Sequence, residues 1–276
     1  MQGKLKRGNH RQRGRRGKCF WVFTEVICLA VLIICITTFI SRESDRTLRI
    51  KEEQEAKDNL ISIVEGEERQ ADVSQGENLA AQPLPPMFAK AEKLLKQNSD
   101  LVGMLAYDNL SLYVCQTDDN SYYASHRFDG SEDPAGMIYM DYRCSIWPQS
   151  DNLILYGHNM RDGSRFGKLN RFANQKFIDE TPFVRFASLY EMADYRPISV
   201  FYTQTNPEEY DYFDFARIEF DDQIDFESYI QDISARSVVN LKAEADYGEK
   251  LLTLVTCSGD EEGERLVVIC VMETTS

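Results

Sequence analysis

The feature that most constrains this chain is an apolar stretch of 21 residues, Phe20 to Ile40, in which Glu25 is the only charged residue. At about 1.5 Å of rise per residue, a helix of that length spans roughly 30 Å, the hydrocarbon thickness of a bilayer. A buried core helix would be the plain alternative, but the flanks argue against it. Residues 1–18 carry eight Lys/Arg and no acid, whereas the whole chain has a net charge of -14. Cations so placed stay on the cytoplasmic side of a membrane. The expected order is therefore a basic cytoplasmic arm at 1–19, a transmembrane anchor at 20–40, and everything from residue 41 outside the cell. No small-residue cleavage site follows the apolar run, and Ile27 and Ile34 stand before Cys28 and Cys35, which disfavours a lipoprotein. A retained anchor is expected rather than a removed signal peptide.

Past the anchor the balance is strongly acidic, which excludes nucleic acid as a partner of the main domain, because a phosphate backbone is bound through clustered cations. Residues 41–82 are polar and rich in both signs of charge, as in SRESDRTLRIKEEQEAKDN, with no sustained heptad. They read as a stalk, partly helical at best. The QPLPP stretch then punctuates the chain, and the domain start is placed at residue 83. A short helix should follow, with Phe88, Ala91, Leu94 and Leu95 on one face.

From Leu101 the pattern changes to short apolar runs between turn residues: LVGMLAY, SLYVCQ, GMIYMDY, NLILYGHN, FVRFASLY, RPISVFY, LLTLVTC and RLVVICV. Eight segments rich in Val, Ile, Tyr and Phe predict an antiparallel barrel or sandwich. Two helices should interrupt them. RFGKLNRFANQKF puts Phe166, Leu169, Phe172, Ala173 and Phe177 on one face, and DFESYIQDISARS does the same with Phe226, Tyr229, Ile230, Ile233 and Ser237.

Of seven cysteines, Cys115, Cys144, Cys257 and Cys270 fall outside the anchor region. Cys257 ends an apolar run and is followed at once by the polar loop SGDEEGE, a position where a nucleophile can be both rigidly held and exposed; the plain alternative is a core cysteine. Cys270, inside RLVVICV, reads as core. Cys115 and Cys144 read as core or as disulfide partners. A cysteine nucleophile needs a base or cation to raise its thiolate fraction. His158 lies where an apolar run meets Gly157 and Asn159, whereas His126 lies in a polar stretch. Spacing favours His158 and leaves a structural role open for both. Arg265 opens the run after Cys257. If those two runs form a hairpin, its guanidinium lies beside the thiol, where it could stabilise an oxyanion. The plain alternative is a strand-end arginine paired with Glu262 or Glu264. No CxxC pair, zinc spacing or EF-hand loop is present, and TDDN (117–120) and the acids at 260–264 read as solvated turns, so no metal or cofactor is expected.

TLVTC (253–257), Arg265 on the following run and LYGHNM (155–160) together resemble the sortases, and the helix FESYIQDISARS before the cysteine run resembles class B in particular. The resemblance covers nearly the whole of 83–276. It implies a mostly β fold, an eight-stranded closed sortase-type β-barrel with added helices, preceded by the transmembrane helix. It also implies a cysteine transpeptidase acting on surface proteins that bear a C-terminal sorting signal. Cys257 would attack a Thr carbonyl, His158 would exchange the proton, Arg265 would stabilise the oxyanion and Thr256 would help to orient the substrate. The thioester would be resolved by an amine of a peptidoglycan precursor or a pilin. The competing readings are another extracellular cysteine peptidase and a non-catalytic surface-binding protein. Against the L,D-transpeptidases stands Gly259, where that family keeps an arginine.

Overall fold

In the computed structural model the described residues are 13–64, 84–241, 244–259 and 263–273; of residues 13–20 and 22 only the backbone is described. Packing divides the chain into two units, with the break after Arg49. In the first unit, helix α1 (Arg13–Val64, continuing into the second) exposes Phe23, Leu29, Ile33, Phe39 and Ile40. Among the described residues it is the one helix long and apolar enough to cross a membrane.

The second unit is built on eight strands: β1 (Leu101–Tyr107), β2 (Leu110–Cys115), β3 (Ile138–Met140), β4 (Asn152–Tyr156), β5 (Val184–Ser188), β6 (Met192–Gln204), β7 (Leu251–Cys257) and β8 (Glu264–Met272). They close into a barrel in the order β1-β2-β3-β4-β7-β8-β6-β5. Each apolar run became a strand because its residues are buried: β2 along its whole length, β7 up to Thr256 and β8 from Leu266 to Val271. Closure also removes the unpaired strand edges that an open sheet would present. The β1–β2 hairpin turns through Asp108 and Asn109, with Asp108 at φ 51°, a left-handed conformation that Asp tolerates better than most residues.

The barrel is not purely antiparallel as the strand pattern alone suggested. β2 pairs parallel with β3, and β4 parallel with β7. Parallel neighbours need a long crossover, and the long connections from β2 to β3 and from β4 to β7 supply it. One consequence is that the C-terminal ends of β4 and β7 lie side by side, Tyr156 opposite Val255.

The helix anticipated over RFGKLNRFANQKF is two pieces. A 3-10 turn covers Leu169–Ala173, Asn174 is extended, and its side chain caps α3 (Gln175–Glu180; α2 is Ala89–Leu95) by accepting from Lys176 N. Asparagine competes well for such local bonds, which is why it starts a helix rather than continuing one. Phe166, Leu169, Phe172 and Phe177 are buried all the same. α4 (Gln223–Arg236) forms as the periodicity suggests, capped by Asp222 and burying Phe226, Tyr229 and Ile233.

The segment read as a polar stalk also differs. α1 remains helical to Val64, and Ala56, Leu60 and Ile63 are buried in a cluster with Phe88, Leu94, Met104 and Tyr113. The spacing i, i+4, i+7 makes one apolar stripe, too sparse among charged neighbours to stand out in the sequence. The anticipated domain start at residue 83 lies outside the described residues.

Candidate active site

β7 brings Cys257 to its end half-buried, with six fully buried residues behind it. Ser258 N donates to Glu264 O, and Cys257 stands opposite Arg265 in the β7–β8 register. Glu262 lies outside the described residues; the Arg265 bond that is seen runs from Nη1 to the Glu264 carbonyl at 3.1 Å. Thr256, buried, donates its hydroxyl to Gly157 O at 2.8 Å and so ties the cysteine strand to the strand that ends at His158.

His158 follows β4 after the single residue Gly157. Gly157 is required there, because a Cβ would come within 2.3 Å of Ile138 Cδ1 and 2.8 Å of Phe166 Cδ2. The His158 carbonyl accepts from Phe166 N at 3.1 Å, and Nε2 lies 2.8 Å from the carbonyl of Ala124. A carbonyl only accepts, so Nε2 carries a proton, and Nδ1 is the ring atom left to exchange one. Cys257, His158, Arg265 and Thr256 line one cavity of about 90 Å³, together with Tyr139, Tyr156, Gly157 and Val255. A wider depression of about 310 Å³ shares Tyr139, Tyr156, Val255 and Arg265 with it and adds Asn120, Thr205 and Phe215. His126 lines neither: it stacks on Tyr122 with ring centroids 4.0 Å apart.

No family model matches the chain. Sortase B of Listeria monocytogenes is 30% identical over 174 residues, covering 62% of this chain and 68% of that protein. The chain belongs to the class B sortases. Sortase B of Staphylococcus aureus is 27% identical over 188 residues, covering 67% of this chain and 73% of the relative. The fold agrees: the solved Staphylococcus aureus sortase B-substrate complex superposes with a TM-score of 0.69 at 23% identity, covering 84% of this chain and 99% of that one. Sortase B of Bacillus anthracis in complex with AAEK1 gives 0.65 at 27% identity, over 84% and 99%. As a sortase, the chain is a transpeptidase.

The thiols of this class B sortase sit in unlike surroundings. Cys115, Cys144 and Cys270 are free and buried. Burial pushes all three thiols up, Cys144 to about 12, so none is a thiolate at neutral pH. Cys257 is free and half-buried.

Several groups at the site were given no role by the sequence. Asn159 Nδ2 donates to the carbonyls of Cys257 (3.0 Å) and Ser258 (3.2 Å), and Asn170 Nδ2 donates to Ser258 O at 2.9 Å, so two amides pin the loop after Cys257. Beneath the cavity wall, Asp141 accepts from Tyr156 Oη (3.0 Å), Asn120 Nδ2 (3.1 Å) and Arg143 Nε and Nη2 (2.9 Å each). Burial alone would raise this carboxyl, but the Arg143 bonds outweigh it and hold the group below the usual carboxylate range. Burial and then the neighbouring Asp141 push the Tyr156 phenol far up, so it stays neutral. Asp141 comes beside Tyr156 because β3 pairs antiparallel with β4, Met140 opposite Leu155, a register that no local pattern reports.

Proposed function

We propose that this sortase is a membrane-anchored cysteine transpeptidase in which Cys257 is the nucleophile, His158 its proton donor and acceptor, and Arg265 the cation that stabilises the oxyanion. The observation that carries the reading is that all three side chains line one cavity while Cys257 and Arg265 are register partners on rigid strands. Thr256 lines the same cavity and orients substrate there by its place in the wall, its hydroxyl being engaged by Gly157.

In the acylation step the Cys257 thiolate adds to the carbonyl carbon of a Thr in the C-terminal sorting motif. The developing oxyanion is held by the Arg265 guanidinium, whose planar fork suits it. The C–N bond breaks as protonated His158 gives its proton to the leaving amine, and a thioester remains on Sγ. In the second step neutral His158 takes a proton from an incoming amine as that nitrogen adds to the thioester. The C–S bond then breaks, returning thiolate and imidazolium. Water in place of the amine gives hydrolysis as the side reaction. The acceptor would be an amine of a peptidoglycan precursor or a pilin; a solved sortase B complexed with Gly3 supports an acceptor of the peptide-amine kind.

The anchor reading assigns 1–19 to the cytoplasm, 20–40 to the membrane and the catalytic domain from 83 to the outside. It is supported by the exposed apolar surface of α1 and by the cationic arm before it.

The test is to incubate the full-length protein in membranes with peptides carrying a Thr-containing sorting motif and with rising triglycine. Mass spectrometry should find the acyl group on Cys257 and nowhere else, and product should shift from acid to amide as triglycine rises. An adduct on another thiol would overturn Cys257 as the nucleophile, and hydrolysis that never gives way to amide would replace the amine acceptor with water and leave a cysteine peptidase.

A further inference from the structure

We propose that Glu52, on α1, is a positioning residue for His158; this rests on the reading of His158 as the partner of Cys257. The imidazole is held from two sides. Its backbone carbonyl is bonded by Phe166 N, next to Arg165, which also bridges to Asn159. Its Nε2 is bonded by the carbonyl of Ala124, at the start of a loop that runs on to Phe128. Glu52 touches both supports with one carboxylate. Oε2 accepts from Arg165 Nη2 at 2.8 Å, and Oε1 accepts from Phe128 N at 3.3 Å. Glu53 adds an acceptor for Arg165 N at 3.4 Å.

Neither support is loose beyond these points. The Ala124–Phe128 loop is cross-bonded, with Asp133 N on Ser125 O at 2.9 Å and the buried Arg127–Asp133 pair at 2.9 Å. A shift of Phe128 is therefore passed to Ala124 rather than absorbed. Arg165 sits at φ 53°, a left-handed conformation that a residue with a side chain keeps only when its surroundings impose it. Its side chain is 3% exposed and its Nε has no hydrogen-bond partner, so the Glu52 carboxylate is the one that bonds the guanidinium, with Glu53 a second carboxylate nearby. Without that carboxylate a guanidinium is left buried and underpaired, and the arrangement resolves by letting the Asn159–Phe166 loop move outward. The loop that moves is the one bonded to the His158 carbonyl. Ala56, Leu60 and Ile63, on the same helix, are buried and hold Glu52 in place.

A residue that merely stabilised the fold would lower the melting temperature and leave the chemistry of the thiol alone. The experiment therefore reads the rate of iodoacetamide alkylation of Cys257 in the full-length chain near neutral pH, followed by mass spectrometry of the Cys257 peptide. The variants are Glu52→Gln, Glu52→Asp, His158→Ala, the double variant Glu52→Gln/His158→Ala, and Lys51→Gln as an exposed neighbour. We expect His158→Ala to slow alkylation and Glu52→Gln to slow it roughly tenfold, the size of coupling found between members of one network. Glu52→Asp should recover most of the rate even if Glu52→Gln is poorly folded, and Lys51→Gln should match the parent. In the His158→Ala background, Glu52→Gln should change the rate by less than about twofold, because there is then no imidazole to position. If His158→Ala slows alkylation and Glu52→Gln does not, or slows it equally in both backgrounds, the positioning role of Glu52 is overturned and the Cys257–His158 pair stands. If His158→Ala itself leaves the rate unchanged, the pair reading falls and takes this one with it.

Discussion

Cys257 and Arg265 face each other directly across the β7–β8 ladder, eight positions apart in sequence and one strand spacing apart in space. Both strands are buried almost throughout, so slipping the register by one residue would turn apolar side chains such as Leu254 and Val268 to the wrong face. The thiol and the guanidinium are thus held together by the same packing that stabilises the barrel. The site is preorganised by its scaffold rather than by contacts among its own members.

That relationship makes Arg265→Lys a test of geometry. Lysine keeps the charge but replaces a planar fork with a point. The half-buried position and the intact ladder imply a stability change of about 0.5 kcal/mol or less. Loss of oriented stabilisation of an oxyanion is expected to lower kcat by a factor of about 100 to 1,000. Steady-state kinetics beside thermal unfolding checks this, and a lysine variant with parental kcat would remove Arg265 from the oxyanion site.

Gly157 is the narrow point on the other side. The methyl of Gly157→Ala would meet Ile138 Cδ1 at 2.3 Å and Phe166 Cδ2 at 2.8 Å, both belonging to fully buried side chains. Overpacking of this kind costs about 1–3 kcal/mol. With Ile138 and Phe166 both fully buried, the strain is expected to move the end of β4, and His158 with it. A displacement of about 1 Å is worth roughly 100-fold in rate, so activity should fall much further than stability. Measuring kcat/KM and the unfolding midpoint on the same sample decides it; retained activity would mean that Ile138 and Phe166 yield instead.

All eight strands and α4 were legible because each depends on a local apolar pattern, and Cys257, His158 and Arg265 stood out because each lies at the end of such a pattern. What escaped was set by tertiary pairing. The parallel β2–β3 and β4–β7 contacts depend on crossovers, and periodicity does not say which neighbour a strand chooses. His126 and His158 could be ranked but not separated until β4 was seen beside β7, because only that pairing puts one histidine near Cys257. The break at Asn174 turned on one side-chain bond to Lys176 N. The docking of Ala56, Leu60 and Ile63 turned on a surface for them that forms only when the barrel closes.

Asp141 supplies the pH-dependent prediction. Its side chain is 1% exposed, and the penalty of burial is outweighed by its bonds from Arg143 and then Tyr156, which hold its folded-state pKa below the ordinary Asp value of 3.8. A carboxyl with a depressed pKa stabilises the fold in its ionised form. That contribution is complete at pH values well above 3.8 and is lost as pH falls below 3.8 through the depressed folded value. Asp141→Asn has nearly the same shape but no charge, and it turns an amide N–H toward groups that are themselves donors. Arg143, 43% exposed, can turn to water, and the Tyr156 hydroxyl can accept from the new amide, whereas Asn120 Nδ2 only donates and loses its acceptor. Removing a buried acceptor in this way should destabilise the protein by about 1–3 kcal/mol near neutral pH. Because the variant has no carboxyl to protonate, its stability should fall less steeply in acid, and the gap to the parent should narrow as pH drops below 3.8. Urea unfolding at several pH values from about 7 down to about 3 measures both curves. A gap that stays constant across that range would show that the donors around Asp141 do not favour its ionised form.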